Sequence, residues 1–261
     1  MHPEIDIGPL TLQTFGLMFA LAFLAAGALI WKRFEEIGKP PDWAYEMGFS
    51  ALVGGVIGSR LYFIVDNYSE VKDDLLGNVF SGSGLTWYGG ALGGAIAVFL
   101  WAWYRGFLGL ALLDVAAPAL ALGYAIGRCG CQLSGDGDYG KAWDGPWAMS
   151  YPDGTVPTDQ TVHPTPIYET LAMGLGAFML WQLRDRVRPG ILFAIYLLYA
   201  GTERFLVEFL RRNTDVVLGL TQAQLESLAM MAAGGLWIAI VSRRYGGIGR
   251  PAANGVAHAG A

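Results

Sequence analysis

About seven apolar segments dominate this chain of 261 residues and constrain its fold more than any other feature. A helix needs roughly 20 apolar residues to cross a bilayer, and the predicted spans cover residues 12–31, 44–65, 85–104, 112–127, 167–183, 190–210 and 224–241. Only 15% of the residues are charged, whereas soluble proteins carry about 25%. The sequence therefore predicts an all-α polytopic membrane protein with about seven transmembrane helices.

The positions of the basic residues predict how these helices are oriented, because cytoplasmic loops are enriched in Lys and Arg. With the N-terminus outside, the cytoplasmic loops contain ten of the 17 basic residues, namely Lys32, Arg33, Lys39, Arg105, Arg184, Arg186, Arg188, Arg243, Arg244 and Arg250. We therefore predict an N-out, C-in topology and a single transmembrane domain over residues 1–245. Residues 129–164 form a predicted outward-facing head, the polar segment 66–84 a loop on the same side, and residues 246–261 a disordered cytoplasmic tail.

Three arginines lie where lipid should not tolerate a charge: Arg60 and Arg204 lie within predicted spans, and Arg128 directly follows the fourth span. A charge near the bilayer centre costs roughly 2.5–3.5 kcal/mol on insertion scales, so such residues usually face a polar interior. Arg128 also precedes a glycine-rich segment, CGCQLSGDGDYG, which is typical of an anion site at a membrane surface. We expect the three arginines to converge near the outer leaflet; the alternative is snorkelling or pairing with a nearby acid.

The sixth span carries Arg204, Glu208 and Arg211 at helical spacings of four and three, so that these residues share one face. One interpretation is a structural ladder of ion pairs. The other is a phosphate clamp in which Glu208 orients the guanidinium groups, since the planar guanidinium matches phosphate in a bidentate manner.

Smaller patterns lead to weaker expectations. The glycines at the start of the third span, Gly89, Gly90, Gly93 and Gly94, indicate close helix packing. His163 is interpreted either as a catalytic group or as a helix cap. Cys129 and Cys131 are expected to be packed thiols, although a redox or metal centre is the alternative. We expect no metal, no cofactor and no nucleic-acid partner.

Five motifs in this order resemble the prolipoprotein diacylglyceryl transferase family: FGLM at 15–18, WYGG at 87–90, GRCG at 127–130, HPTPIYE at 163–169 and RFLVEFLR at 204–211. The resemblance implies transfer of the diacylglyceryl group of phosphatidylglycerol to the lipobox cysteine of a prolipoprotein. It also implies that the partners are phosphatidylglycerol, the signal-peptide lipobox segment and membrane lipids. The implied location is the bacterial cytoplasmic (inner) membrane, with the active site toward the outer, periplasmic leaflet.

The resemblance also assigns residues to the site. It implies that Arg128, Arg204 and Glu208 are catalytic, with Tyr88 at the position where the family commonly has a histidine before Gly-Gly. The residues expected to bind substrate are Arg60, Gly130, Cys131, Ser134, Asp136, Gly140, Tyr168, Glu169 and Arg211. Cys131 occupies the family's asparagine position, and Asp136 or Glu208 is left as the candidate base.

Two other functions are weighed against this one. A paralogue would transfer a lipid group to another acceptor. A non-catalytic lipid-binding or lipid-translocating protein would have no need of Arg128 beside a glycine-rich loop, and transporters more often show inverted repeats.

Overall fold

A computed structural model describes residues 2–68 and 86–251 of the chain. Most of the predicted loop at 66–84 and the predicted tail after residue 251 lie outside the described residues. Backbone contacts divide the chain into two compact units. The first unit comprises residues 1–29 and 113–261, and the second comprises residues 30–112.

Seven long helices are present in the described residues. They are α1 (Thr14–Glu36), α2 (Trp43–Asp66), α3 (Trp87–Tyr104), α4 (Leu110–Ser134), α5 (Thr165–Leu183), α6 (Ile191–Glu208) and α7 (Gln222–Tyr245). Four of them, α1, α2, α4 and α7, are long and apolar enough to cross a membrane by themselves. The predicted all-α membrane fold is confirmed, whereas the N-out orientation and the single domain over residues 1–245 stay predictions.

The fourth span was predicted too short. α4 continues past Gly127 to Ser134, so Arg128 lies within the helix and the head begins at Gly135. Polar and small residues are tolerated in this last part of α4 because they face protein: Cys131 and Ser134 are buried, and a Cβ on Gly130 would lie 3.1 Å from Met18 Cβ of α1. Gly135 then turns the chain with φ +60°, close against Gly154.

Among the described residues of the first unit, three two-stranded antiparallel hairpins, which the sequence analysis did not predict, lie outside the helices. They pair β1 (Glu4–Ile7) with β2 (Leu10–Gln13), β3 (Met149–Tyr151) with β4 (Thr158–Val162), and β5 (Asp215–Val217) with β6 (Leu220–Thr221). The β3–β4 hairpin belongs to the head, where Tyr151 stacks on Tyr139 at 4.7 Å between ring centroids.

Residues 248–250, which were predicted to belong to a disordered tail, form backbone hydrogen bonds. The Arg188 amide donates to Ile248 O at 2.9 Å, and the Arg250 amide donates to Arg186 O at 2.9 Å. Residues 248–250 are therefore paired with the α5–α6 connection, because this connection offers backbone groups that need partners.

The core of the first unit is built from α4, α5 and α6. Ala117, Ala121 and Ala125 repeat every four residues along one buried face of α4. They belong to the same cluster as Met173 of α5 and Ile191 of α6. α6 and α7 approach each other closely at glycines, since a Cβ on Gly234 would lie 2.6 Å from Ala194 O.

In the second unit, α2 and α3 pack through glycines on both helices. Gly54 and Gly58 of α2 face Gly89 and Gly93 of α3, and a Cβ on Gly58 would lie 2.7 Å from Gly93 Cα. The Ser59 hydroxyl donates to Thr86 O at 2.7 Å beside this contact. The close packing predicted for the glycines of α3 is confirmed.

This contact predicts opposite effects for two alanine substitutions in the same helix. Gly58→Ala should destabilise the protein by about 1–3 kcal/mol, because the methyl group would overlap α3 backbone. Gly48→Ala is the matched control, since nothing lies within 4 Å of its added Cβ, and helix propensity alone should stabilise it by up to about 1 kcal/mol. Thermal unfolding in detergent measures both variants, and equal midpoints for the two would contradict the prediction.

Candidate active site

Arg128 lies near the C-terminal end of α4 and contacts three other parts of the first unit. Its Nη1 group is ion-paired with Asp138 of the head, and its Nε group is ion-paired with Glu169 of α5. Its Nη2 group donates a hydrogen bond to the Tyr124 hydroxyl one helical turn earlier, at 3.0 Å. The Arg128 side chain remains 14% exposed, so that a ligand can reach it.

Glu169 is the carboxylate that brings the arginines together. Its side chain is fully buried, at 0% exposure, in the second turn of α5, a helix that begins with the sequence TPIYE and carries Pro166 in its first turn. Oε2 faces Arg128, while Oε1 lies 3.4 Å from Nη1 of Arg204 and 3.4 Å from Nη1 of Arg211. The structure therefore brings Arg128 and Arg204 to one carboxylate, whereas the convergence of all three arginines near the outer leaflet stays a prediction.

Glu208 pairs with the other side of Arg204. Nη2 of Arg204 lies 2.9 Å from Oε2 of Glu208, and Nε of Arg211 lies 3.7 Å from the same oxygen. Oε1 of Glu208 accepts hydrogen bonds from Asn213 at 2.6 Å and from Thr221 at 2.8 Å. The shared face predicted for Arg204, Glu208 and Arg211 is thus a continuous set of ion pairs.

The aspartate that contacts the arginines is Asp138, which sequence reasoning missed. Nη2 of Arg211 lies 2.5 Å from Asp138 Oδ1, and Arg128 binds the other oxygen. Burial alone would raise the pKa of Asp138, but the charges of Arg128 and Arg211 outweigh it and hold the pKa below the usual value. Asp136, the predicted residue, instead accepts a hydrogen bond from the Asp138 amide at 3.2 Å.

Three arginines and three carboxylates therefore form one charge-balanced cluster in the part of the chain that the structure describes. Arg204 is the most exposed of the three arginines: 22% of its side chain is exposed, against 14% for Arg128. Tyr124, the other residue that sequence reasoning missed, donates to Glu169 at 3.0 Å. Tyr124 lies one helical turn before Arg128, and this spacing is the signal that could have identified it.

Other predicted residues shape the backbone around the cluster. Ser134 lies in the turn that ends α4. The carbonyl oxygen of Ser134 accepts a hydrogen bond from the Thr155 amide at 2.8 Å. Gly140 allows close approach of the head to the start of α5, since a Cβ there would lie 3.0 Å from Thr165 Cγ2. Cys131 is buried, with Sγ 3.7 Å from Arg128 Nη1.

The two cysteines are not joined by a disulfide bond. Cys131, Asp136 and Asp138 each bring one potential metal-ligating atom within 4.8 Å of the others. Asp138 is already bound by two guanidinium groups, whose positive charges oppose a cation at this place.

Aromatic side chains of the head surround Tyr168, another predicted residue. The Trp147 indole donates to the Tyr168 hydroxyl at 2.7 Å, and His163 Nδ1 lies 3.3 Å from the same hydroxyl. His163 stacks on Trp143 with centroids 4.4 Å apart, and burial lowers its pKa. Tyr168 also lines a cleft of about 400 Å³ between α5 and α6.

Arg60 and Tyr88 belong to the second unit. Arg60 is buried, at 6% exposure, and its guanidinium lies over the Phe63 ring at 5.7 Å. Tyr88 lies in the first turn of α3 and is exposed.

The fold and the site define a multi-pass membrane protein with a largely buried arginine–carboxylate centre. A family model for prolipoprotein diacylglyceryl transferases matches residues 4–240. The chain belongs to the prolipoprotein diacylglyceryl transferase family.

Relatives from several bacteria agree with this assignment. A phosphatidylglycerol–prolipoprotein diacylglyceryl transferase of Clostridium tetani is 34% identical over 216 residues, which is 81% of this chain and 86% of the relative. The enzyme of the same name from Methylobacillus flagellatus is 31% identical, over 94% of this chain and 99% of its own length. The enzyme of that name from Chromohalobacter salexigens is 33% identical, over 93% of this chain and 94% of its own length.

The position of Asp138 predicts a pH-dependent stability. The pKa of Asp138 is lowered in the folded protein. Ionised Asp138 should therefore stabilise the fold above about pH 4, the pKa of an aspartate in the unfolded chain, and this contribution should be lost as the pH falls further. Asp138→Asn should therefore unfold at a lower temperature than wild type at pH 7, with the difference narrowing toward pH 3. Asp153→Asn, an exposed change in the same head, is the control; a pH-independent difference for Asp138→Asn would contradict the prediction.

Proposed function

We propose that this protein transfers the diacylglyceryl group of phosphatidylglycerol to the cysteine thiol of a prolipoprotein. The proposal rests on family membership, on the names of the relatives, and on one observation of the site. This observation is that two partly exposed arginines from different helices, Arg128 and Arg204, contact opposite oxygens of one buried carboxylate.

The arginine pair suits the phosphate of the donor lipid. Glu169 holds the two guanidinium groups at a separation that one anionic group can bridge, while Asp138 and Glu208 hold them from outside. A phosphate that meets both guanidinium groups gains charge-assisted hydrogen bonds in a site from which much of the water is excluded. Arg211 adds positive charge beside them and is itself nearly buried, at 8% of the side chain.

In the reaction, the thiolate sulphur forms a bond with the carbon of the diacylglyceryl group that carries the phosphate. The bond between this carbon and the phosphate oxygen breaks, and its electron pair leaves with glycerol phosphate. The leaving group gains one negative charge, so donors that are already in place near that oxygen stabilise the transition state more than the ground state. In the proposed mechanism, Arg128 and Arg204 are these donors, and Glu208 keeps Arg204 in position.

The other proposed roles come from the family resemblance. Tyr88 would donate a hydrogen bond in place of the family's histidine, and Arg60 would contribute to substrate binding. We further propose that the acceptor is the lipobox segment of the signal peptide. The enzyme would act in the bacterial cytoplasmic membrane, with this site toward the outer leaflet, where both lipid and exported substrate are available.

The phosphate role of Arg128 predicts a large effect for a conservative change. Arg128→Lys should lower kcat by roughly 100-fold or more, because one ammonium group cannot bridge Asp138, Glu169 and a phosphate as the planar guanidinium does. The measurement is thioether formation on a lipobox peptide with phosphatidylglycerol vesicles.

Arg243→Lys is the matched control, since Arg243 is exposed at the end of α7, and it should retain full activity. Near-normal activity of Arg128→Lys would exclude Arg128 from the phosphate site.

The proposed orientation predicts which positions an impermeant thiol reagent reaches in intact cells whose outer membrane has been permeabilised. Asp153→Cys, in the exposed turn of the head, should be labelled from outside, whereas Arg186→Cys, in the α5–α6 connection, should be labelled only after lysis. Wild type is the blank, because Cys131 is buried and Cys129 is partly buried. The reverse pattern would place the head in the cytoplasm.

A further inference from the structure

Glu203 of α6 faces the cleft between α5 and α6. This cleft measures about 400 Å³, and Ala172, Leu206, Val207 and Leu210 contribute much of its apolar wall. An acidic side chain in such surroundings is costly unless it is paired, because burial in apolar surroundings disfavours charge.

Glu203 differs from the other carboxylates of the site in its contacts. Asp138, Glu169 and Glu208 are each ion-paired with two or three arginines. Within residues 2–68 and 86–251, the Glu203 carboxylate has neither a hydrogen bond nor an ion pair. Ion pairing stabilises a carboxylate in its ionised form and weakens it as a proton acceptor. The three paired carboxylates already face guanidinium groups, whereas the Glu203 carboxylate is available to accept a proton.

Glu203 also lies within electrostatic range of the arginine cluster. The charged groups that act on it are Glu169, Arg204, Arg128 and Arg211. The phenol groups near it are those of Tyr124, Tyr168 and Tyr199. A thiolate formed in the cleft would therefore arise beside the positive charges proposed to hold the phosphate of the donor lipid.

We infer that Glu203 is the general base that removes the proton from the acceptor cysteine. The inference rests on the proposed transfer reaction. The S–H bond breaks and its proton moves to a Glu203 carboxylate oxygen, leaving the electron pair on sulphur. The thiolate then forms the carbon–sulphur bond as the carbon–oxygen bond breaks, and the proton on Glu203 passes to the departing glycerol phosphate.

The test compares two nucleophiles in wild type and in Glu203→Gln. With the cysteine lipobox peptide, Glu203→Gln should lower kcat by about 100-fold or more while KM changes little, since general-base catalysis contributes roughly 10²–10⁴-fold. With a selenocysteine peptide, whose selenol is ionised at neutral pH without a base, the two proteins should differ by less than about threefold. Glu226→Gln, on the exposed side of α7, is the matched control and should behave as wild type with both peptides.

The pH dependence provides a second readout. In wild type and Glu203→Asp the acidic limb should follow the carboxylate at position 203 and differ between the two proteins, whereas the residual activity of Glu203→Gln should follow the ionisation of the thiol itself, at about pH 8.5.

The outcomes separate the two proposals. An equal loss with thiol and selenol would mean a structural role for Glu203 and would overturn the base assignment, as would a cysteine rate within a few fold of wild type. If folded wild type forms no product with either peptide, the proposed transfer reaction itself fails.

Discussion

The interaction on which the site depends is the meeting of three guanidinium groups at the buried carboxylate of Glu169. An isolated charge at this position would be very costly, and so would three unpaired arginines. Together they form a cluster in which each charge compensates another. The arrangement links α4, α5, the end of α6 and the head. The ion pairs that neutralise the charges therefore also hold these elements in one geometry.

This arrangement also bears on the proposed binding of phosphate. Asp138 pairs with Arg128, and Glu208 pairs with Arg204. In the proposed function, a phosphate that approaches Arg128 and Arg204 would find donors already held in place by Glu169, which would reduce the ordering that binding requires. Among the described residues, the Glu203 carboxylate has no ion pair, and it lines the cleft between α5 and α6.

Much of the site could be predicted from the sequence. Arg128, Arg204, Glu208 and Arg211 stand out because charges are rare in apolar helices, and the spacing of the last three follows the helix period. Asp138 and Tyr124 were missed. In a glycine-rich loop no period distinguishes Asp138 from Asp136, and only the ion pairs of Asp138 with Arg128 and Arg211 show which carboxylate faces the arginines. The length of α4 was also missed, since burial of Cys131 and Ser134 against the rest of the first unit allows a polar stretch to stay helical.

By itself, the sequence determined that this is a membrane protein of long apolar helices and that a few arginines within them need acidic partners. These properties follow from local composition and helical period, and both can be read directly from the sequence. Only the tertiary structure decided that Glu169 is the common partner, that the Gly58 and Gly93 backbones touch, and that Glu203 lines a cleft without an ion pair to any described residue. Such pairings join residues far apart in the chain, and no period in the sequence specifies which of several similar side chains will meet.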